Sequence, residues 1–215
     1  MSIRTLPIVC LLLVAPGCGG NAAAPPPNPA PTPSAAPPVA EYKSAFEKGT
    51  ADKWTPLYGN WWVKGKAYQQ DNDKLQGTKS MLDLPDSDCY TLQFTARPFA
   101  GVSGAIGAIV KYQKKYVWWN IGGEGEVVGL ENPSETNRGY SGLKVNTPYL
   151  VKVIVDHDRL TGWLNGAQRW SVRRTPEQVQ GLKGEWSKDL VGLAGLGTEQ
   201  TSVQFSNVEV TPKCK

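Results

Sequence analysis

Two pairs of adjacent tryptophans, Trp61-Trp62 and Trp118-Trp119, are the side chains with the clearest chemical use in this chain. A flat ring gives the C–H face of a sugar something to stack on, while nearby amides and hydroxyls bond its oxygens. In "YVWWN", read as a strand, alternation puts Tyr116, Trp118 and Asn120 on one face. The same alternation groups Trp163 with Thr161 and Asn165, opposite Leu160 and Leu164. With Trp61 from the first pair, the candidate carbohydrate-binding residues are Trp61, Tyr116, Trp118, Asn120, Trp163 and Asn165. Successive strand residues face opposite ways, so one indole of each pair enters a core and its neighbour points out. Burying a tryptophan removes about 150–250 Å² from water, and a core of this size absorbs roughly half of the eight present.

Catalytic patterns are weaker. Glycoside hydrolysis normally uses two carboxyl groups, about 5 Å apart for retention or about 6.5–9.5 Å for inversion. Glu124 and Glu126 stand two apart with Glu131 beyond them, but "EGEVVGLE" has no central aspartate and its third acid falls on the other face. These read as glycine-flanked loop acids. The sole histidine, His157, lies between Asp156 and Asp158 at a hairpin turn, and no G-x-S-x-G nucleophile signature accompanies it. "GEGEVVG" is one residue too long for a dinucleotide-binding glycine loop. No catalytic residue is assigned. Residues 70–73, "QDND", and 86–88, "DSD", carry the oxygens of a structural calcium site and equally those of ordinary turns. No metal or other cofactor is assigned.

The elements that must position these rings are short and extended. From Asn60 onward "NWWV", "KAYQQ", "SMLDL", "YTLQFTA", "AIGAIVKY", "YVWWNI", "EVVGLE", "YLVKVIVDH", "RLTGWLNG", "QRWSV", "LVGLAGLG" and "VQFSNVEV" follow one another, with Gly, Asn, Asp or Pro at most breaks. Only "TPEQVQGL", residues 175–182, has the opening of a short helix. A dozen strands with turns at this spacing predict an all-β fold, a two-sheet antiparallel sandwich of jelly-roll type.

"WTPLYGNWWVKGKAYQQ", "YVWWNIGGEGEVVGLE", "YLVKVIVDHDRLTGWLNG" and "VGLAGLGTEQTSVQFSNVEV" together resemble the concanavalin A-like, laminin-G-like jelly-roll modules. The middle stretch is similar to the non-catalytic module of some α-L-arabinofuranosidases, in which a "YYWWN-GG" run precedes a strand pair. The opening also resembles the 3-keto-disaccharide hydrolase domain, although this chain has "SGAIGAIVKYQ" where that domain carries N-S-G and an arginine-bearing strand. The resemblance implies two curved sheets with carbohydrate on the concave face or its rim. It implies no reaction.

The chain ends set the setting. Residues 1–17, with Arg4 ahead of a short apolar run, read as an export signal, and "APGC" resembles the lipobox in which the cysteine, here Cys18, carries a lipid. Residues 18–40 are almost entirely proline, alanine and small polar residues, a semi-rigid linker that cannot fold. Residues 41–215 form the domain. Export brings an oxidising compartment; Cys89 begins one strand and Cys214 ends another, so a Cys89–Cys214 bridge is expected if those strands are antiparallel neighbours. A formal charge of +4 is too mild to argue for nucleic acid, and Lys111, Lys114 and Lys115 read as a solvated hairpin tip. The expected protein is a lipid-anchored module of the bacterial envelope, at the outer membrane or cell surface. It meets the membrane through Cys18 and a glycan through its rings. A glycoside-acting hydrolase and a protein-interaction module are the alternatives.

Overall fold

A computed structural model describes residues 41–44, 46–123, 125, 127–130 and 142–213. The export signal, the linker, Cys18, Glu124, Glu126, Glu131 and Cys214 lie outside them. The strands are β1 (Tyr42–Ser44), β2 (Trp54–Tyr58), β3 (Trp61–Lys64), β4 (Ala67–Gln70), β5 (Thr78–Leu82), β6 (Tyr90–Ala100) and β7 (Ala105–Tyr112). They continue as β8 (Lys115–Gly122), β9 (Val127–Val128), β10 (Tyr149–Val155), β11 (Arg159–Leu164), β12 (Ala167–Arg173), β13 (Ala194–Glu199) and β14 (Ser202–Pro212). One sheet runs β12-β11-β10-β6-β14-β4-β3, with β1 also paired to β14; the other runs β2-β5-β13-β7-β8-β9. Every pairing is antiparallel.

Alternation builds the core between the two sheets. Leu92, Phe94, Val151, Val153 and Phe205 come from the larger sheet, and Ile106, Ala108, Val117, Trp119 and Leu196 from the smaller. Trp119 meets Trp170 edge to face at 5.3 Å and 86°. Gly162 leaves the room Trp170 occupies, since a Cβ there would fall 2.3 Å from the ring. Trp61 also turns inward, stacking on Phe205 with centroids 5.8 Å apart and packing on Tyr68 at 5.1 Å. A polar tie joins the sheets at this end. Tyr68 and Ser80 share a hydrogen bond of 2.8 Å, and Thr198 Oγ1 lies 2.8 Å from Thr78 Oγ1 and donates to Gln70 Oε1 at 3.2 Å. Buried hydroxyls and amides paired in this way avoid the desolvation cost of an unmade bond.

The strand edges are short or broken. β9 has two residues, β3 has four, β2 carries Pro56 beside a register shift, and β12 exposes Arg173 at its end and pairs with β11 through a register shift. The turn at Asn165-Gly166 has both residues at positive φ, 51° and 78°, as a tight hairpin requires.

The helix expected at 175–182 is absent: these residues form turns, and the single described helical turn is a 3₁₀ segment at Gly184–Trp186. Gly181 at φ 72° interrupts the helical path, and the Lys115 ammonium takes the carbonyls of Pro176 and Val179 that an α-helix would use. Residues 174–193 instead run as a strap over the outer face of the smaller sheet. It is pinned at its middle by Gly181 N–H to the Gly129 carbonyl (2.7 Å) and Leu182 N–H to the Tyr116 carbonyl (2.8 Å), and near its end by the Tyr116 hydroxyl to the Gly192 carbonyl (2.6 Å). Lys111 and Lys115 are thus not a loose basic tip. Lys111 pairs with Asp86 at 2.6 Å and lies over the Tyr116 ring at 5.6 Å.

Candidate functional site

The outer face of the smaller sheet carries one row of directly opposed residues across five strands: Tyr58, Lys79, Gly197, Gly107 and Asn120. The two glycines open a trough in its middle. Trp118, two residues before Asn120 on β8 and on the same face, lays its indole into that trough, so closely that a Cβ would lie 2.3 Å from the ring at Gly107 and 2.1 Å at Gly197. The indole N–H donates to Asn120 Oδ1. Met81, Ile109 and Leu182 close around it, and Trp186 of the strap meets it edge to face at 5.2 Å and 80°. Trp118 is 0% exposed. Alternation does send Trp118 and Trp119 to opposite faces, but the outward ring is roofed rather than open.

Beyond the far rim of that indole, between the strap and the β2–β5 edge, lies a cleft of about 560 Å³. Tyr58 and Trp186 supply aromatic walls and Leu57 an aliphatic one; Gln76, Lys79, Glu185, Lys188 and Asp189 supply polar groups. Trp186 rests on Gly77, whose missing side chain leaves it room; a Cβ would sit 3.2 Å from the ring. Lys79 is nearly buried and donates to the carbonyls of Glu185 (2.6 Å) and Trp186 (3.4 Å), which ties the strap to the sheet. Burial lowers its pKa, because a desolvated ammonium is disfavoured; the acids Glu185 and Asp189 act in the opposite sense. The volume, the two rings and the mixed polar groups are those of a small-ligand site.

The residues expected to bind sugar do not gather in one place. Tyr116, Trp118 and Asn120 share the outer face of the smaller sheet, as their spacing predicts, but they form the buttress behind the cleft. The Tyr116 hydroxyl is occupied by Gly192 and burial pushes its pKa up to about 12. Trp61 belongs to the sandwich core, and its partner Trp62 is the outward ring, 44% exposed. Trp163 is half-buried in β11 of the other sheet, and its indole N–H has no hydrogen bond among the described residues. Asn165 is a turn residue whose Oδ1 accepts the Leu150 N–H at 2.8 Å. Of the residues considered for calcium, Asn72 accepts the Lys74 N–H and Asp86 pairs with Lys111, while Asp71 Oδ1 is buried without a hydrogen bond among the described residues. Among the described residues no three His, Cys, Asp or Glu side chains converge on one point.

Tyr58, Lys79 and Trp186 are the residues sequence reasoning missed. Pro56 hides β2 in "WTPLY", and Trp186 sits in "GEWSKD", which has no period of either kind. The detectable signal was the pair of outward glycines, Gly107 and Gly197, over which Trp118 lies, a pairing that marks a large ring lying flat on a sheet.

Solved structures share this architecture. A carbohydrate-binding module, CBM66, from Bacillus subtilis superposes with a TM-score of 0.53 at 16% identity, covering 74% of this chain and 95% of that one. The fold is a concanavalin A-like sandwich. A putative glycosyl hydrolase from Parabacteroides distasonis gives 0.51 at 13% identity, with 80% and 94% of the two chains covered. A GH43 protein from Bacillus licheniformis gives 0.52 at 11% identity; the sandwich spans 79% of this chain and 39% of that longer one. The sequence matches no protein-family model and no curated protein.

Proposed function

We propose that this chain is a carbohydrate-binding module without chemistry of its own, presented at the bacterial envelope by a lipid on Cys18 and the linker that follows. The observation that carries the reading is the cleft of about 560 Å³ between Tyr58 and Trp186. Two partly exposed rings give a sugar its stacking surfaces, and amide, ammonium and carboxylate groups beside them give its hydroxyls partners. Trp118 acts from behind by fixing the Trp186 edge. The nature of the structural neighbours supports a glycan ligand. A Cys89–Cys214 bridge belongs to the same reading: β6 and β14 are antiparallel neighbours, Pro212 is paired with Tyr90, and the Lys213 N–H donates to the Cys89 carbonyl at 3.3 Å.

Titration of the purified chain with neutral and acidic plant and bacterial polysaccharides, followed by tryptophan fluorescence, tests the reading. Saturable quenching, weakened roughly tenfold or more by Trp186→Ala or Tyr58→Ala, is expected. Absence of a response to every glycan overturns it. A glycoside-acting hydrolase is the second reading, because Glu185 and Asp189 line the same cleft. Release of new reducing ends, lost in Glu185→Gln or Asp189→Asn, would favour it. For the anchor, Cys18→Ala is expected to abolish lipid labelling and move the protein from membrane to soluble fractions of an expressing bacterium.

A further inference from the structure

Lys79 is the one charged residue of the cleft withdrawn from water. It is 5% exposed, whereas Glu185, Lys188 and Asp189 stand exposed at the rim. An ammonium has three N–H donors. Two go to neutral backbone carbonyls, those of Glu185 and Trp186, and among the described residues Lys79 enters no ion pair within 4 Å. A cation held away from solvent with only dipoles as partners carries a desolvation cost that an anion brought into contact would offset.

We infer that the cleft selects an anionic sugar, one bearing a carboxylate or a sulfate, by meeting that group with the third N–H of Lys79 while Tyr58 and Trp186 flank the ring. The inference rests on the carbohydrate reading and narrows it. The rim acids do not forbid it. Their carboxylates are exposed, so water and salt screen them, and Lys188 stands among them with the opposite sign. At the floor the screening is least and the Lys79 charge acts at close range. The rival explanation is that Lys79 only pins the strap. That role needs a donor to two carbonyls but no ligand charge, and it predicts equal affinity for charged and uncharged sugars.

The experiment uses glycan pairs that differ in charge alone: polygalacturonate with its methyl ester, and dextran sulfate with dextran. Binding of the full chain is followed by calorimetry and tryptophan fluorescence at several salt concentrations. The expected result is that at least one charged member binds about tenfold to a hundredfold more tightly than its neutral partner, the range for one charge-assisted hydrogen bond. Which pair shows it separates carboxylate from sulfate. Lys79→Met should erase the preference, Lys79→Arg should retain most of it, and Lys188→Met should change it little. Equal binding of charged and neutral members would overturn the inference and leave the carbohydrate reading standing. A preference that survives Lys79→Met would also overturn it, by assigning the effect to surface charge. Circular dichroism checks that each variant folds; should Lys79→Met not fold, Lys79→Gln and the wild-type charged-against-neutral comparison decide. Failure of every glycan, neutral ones included, would remove the carbohydrate reading itself.

Discussion

Replacing Gly107 by alanine tests the glycine trough directly. The added Cβ would lie 2.3 Å from Cζ2, 2.5 Å from Cε2 and 2.9 Å from Nε1 of Trp118. Carbon atoms settle at about 3.5–4.0 Å, so the indole must rise by more than about 1 Å. It has nowhere to go, because Leu182 and Trp186 pack on it and Asn120 holds its N–H. Overpacking of this kind costs about 1–3 kcal/mol, and losing the indole hydrogen bond adds about 1. Alanine returns about 0.5–1 kcal/mol by restricting the unfolded chain. The net loss is about 1–3.5 kcal/mol, which for a domain of this size lowers Tm by about 2–14 °C. Calorimetry and urea melts of wild type, Gly107→Ala, Trp118→Leu and the double variant measure it. In the Trp118→Leu background the same alanine should cost little, a coupling above about 1 kcal/mol. An equal cost in both backgrounds would refute the trough.

Alkaline pH should weaken the fold. Burial pushes Tyr68 and Tyr116 up to about 12, above the value near 10 of an exposed phenol, so their contribution is complete below about pH 10 and is lost as pH rises through about 12; urea melts from pH 9 to 12 should show the decline, shallower in Tyr116→Phe. Trp61→Ala should destabilise by about 2–4 kcal/mol because it empties a site against Phe205 and Tyr68, while Trp62→Ala stays within about 0.5 kcal/mol; denaturant midpoints of the two variants check the inward and outward assignment. A non-reduced digest should contain a peptide linking Cys89 to Cys214, and reduction should lower stability by up to about 4–5 kcal/mol in the chain-entropy model; two free thiols at those positions would refute the bridge.

Much of the sandwich was legible because alternation is a local signal. "AIGAIVKY" coincides with β7, and "YVWWNI" lies within β8. The opposite facing of Trp118 and Trp119 follows from the same rule. What no strand pattern reveals is a third layer. Whether an outward ring is wet depends on the strap at 174–193, a segment remote in sequence and held by side-chain hydrogen bonds from Tyr116, Lys79 and Lys115. The cleft was hidden for the same reason. Tyr58 and Lys79 become neighbours only through the register of β2 and β5, and that pairing shifts just after Pro56. Trp61 and Trp62 were separable in principle by phase, yet a four-residue strand gives too few positions to tell which face is inside.

The interrupted strand margins bear on how the molecule behaves when many copies are crowded together. A sheet border with free N–H and C=O groups invites another chain to add a strand, the first step toward fibrils. Here Pro56 removes a donor from β2, β9 offers two residues, β3 offers four, and the end of β12 sets Arg173 beside any approaching border. A border so short or so charged gives an incoming strand little to register against. Dense arrays of this domain are therefore expected to remain collections of separate molecules, and aggregation under stress should begin only after the two-residue β9 has peeled away and bared the eight-residue β8 within.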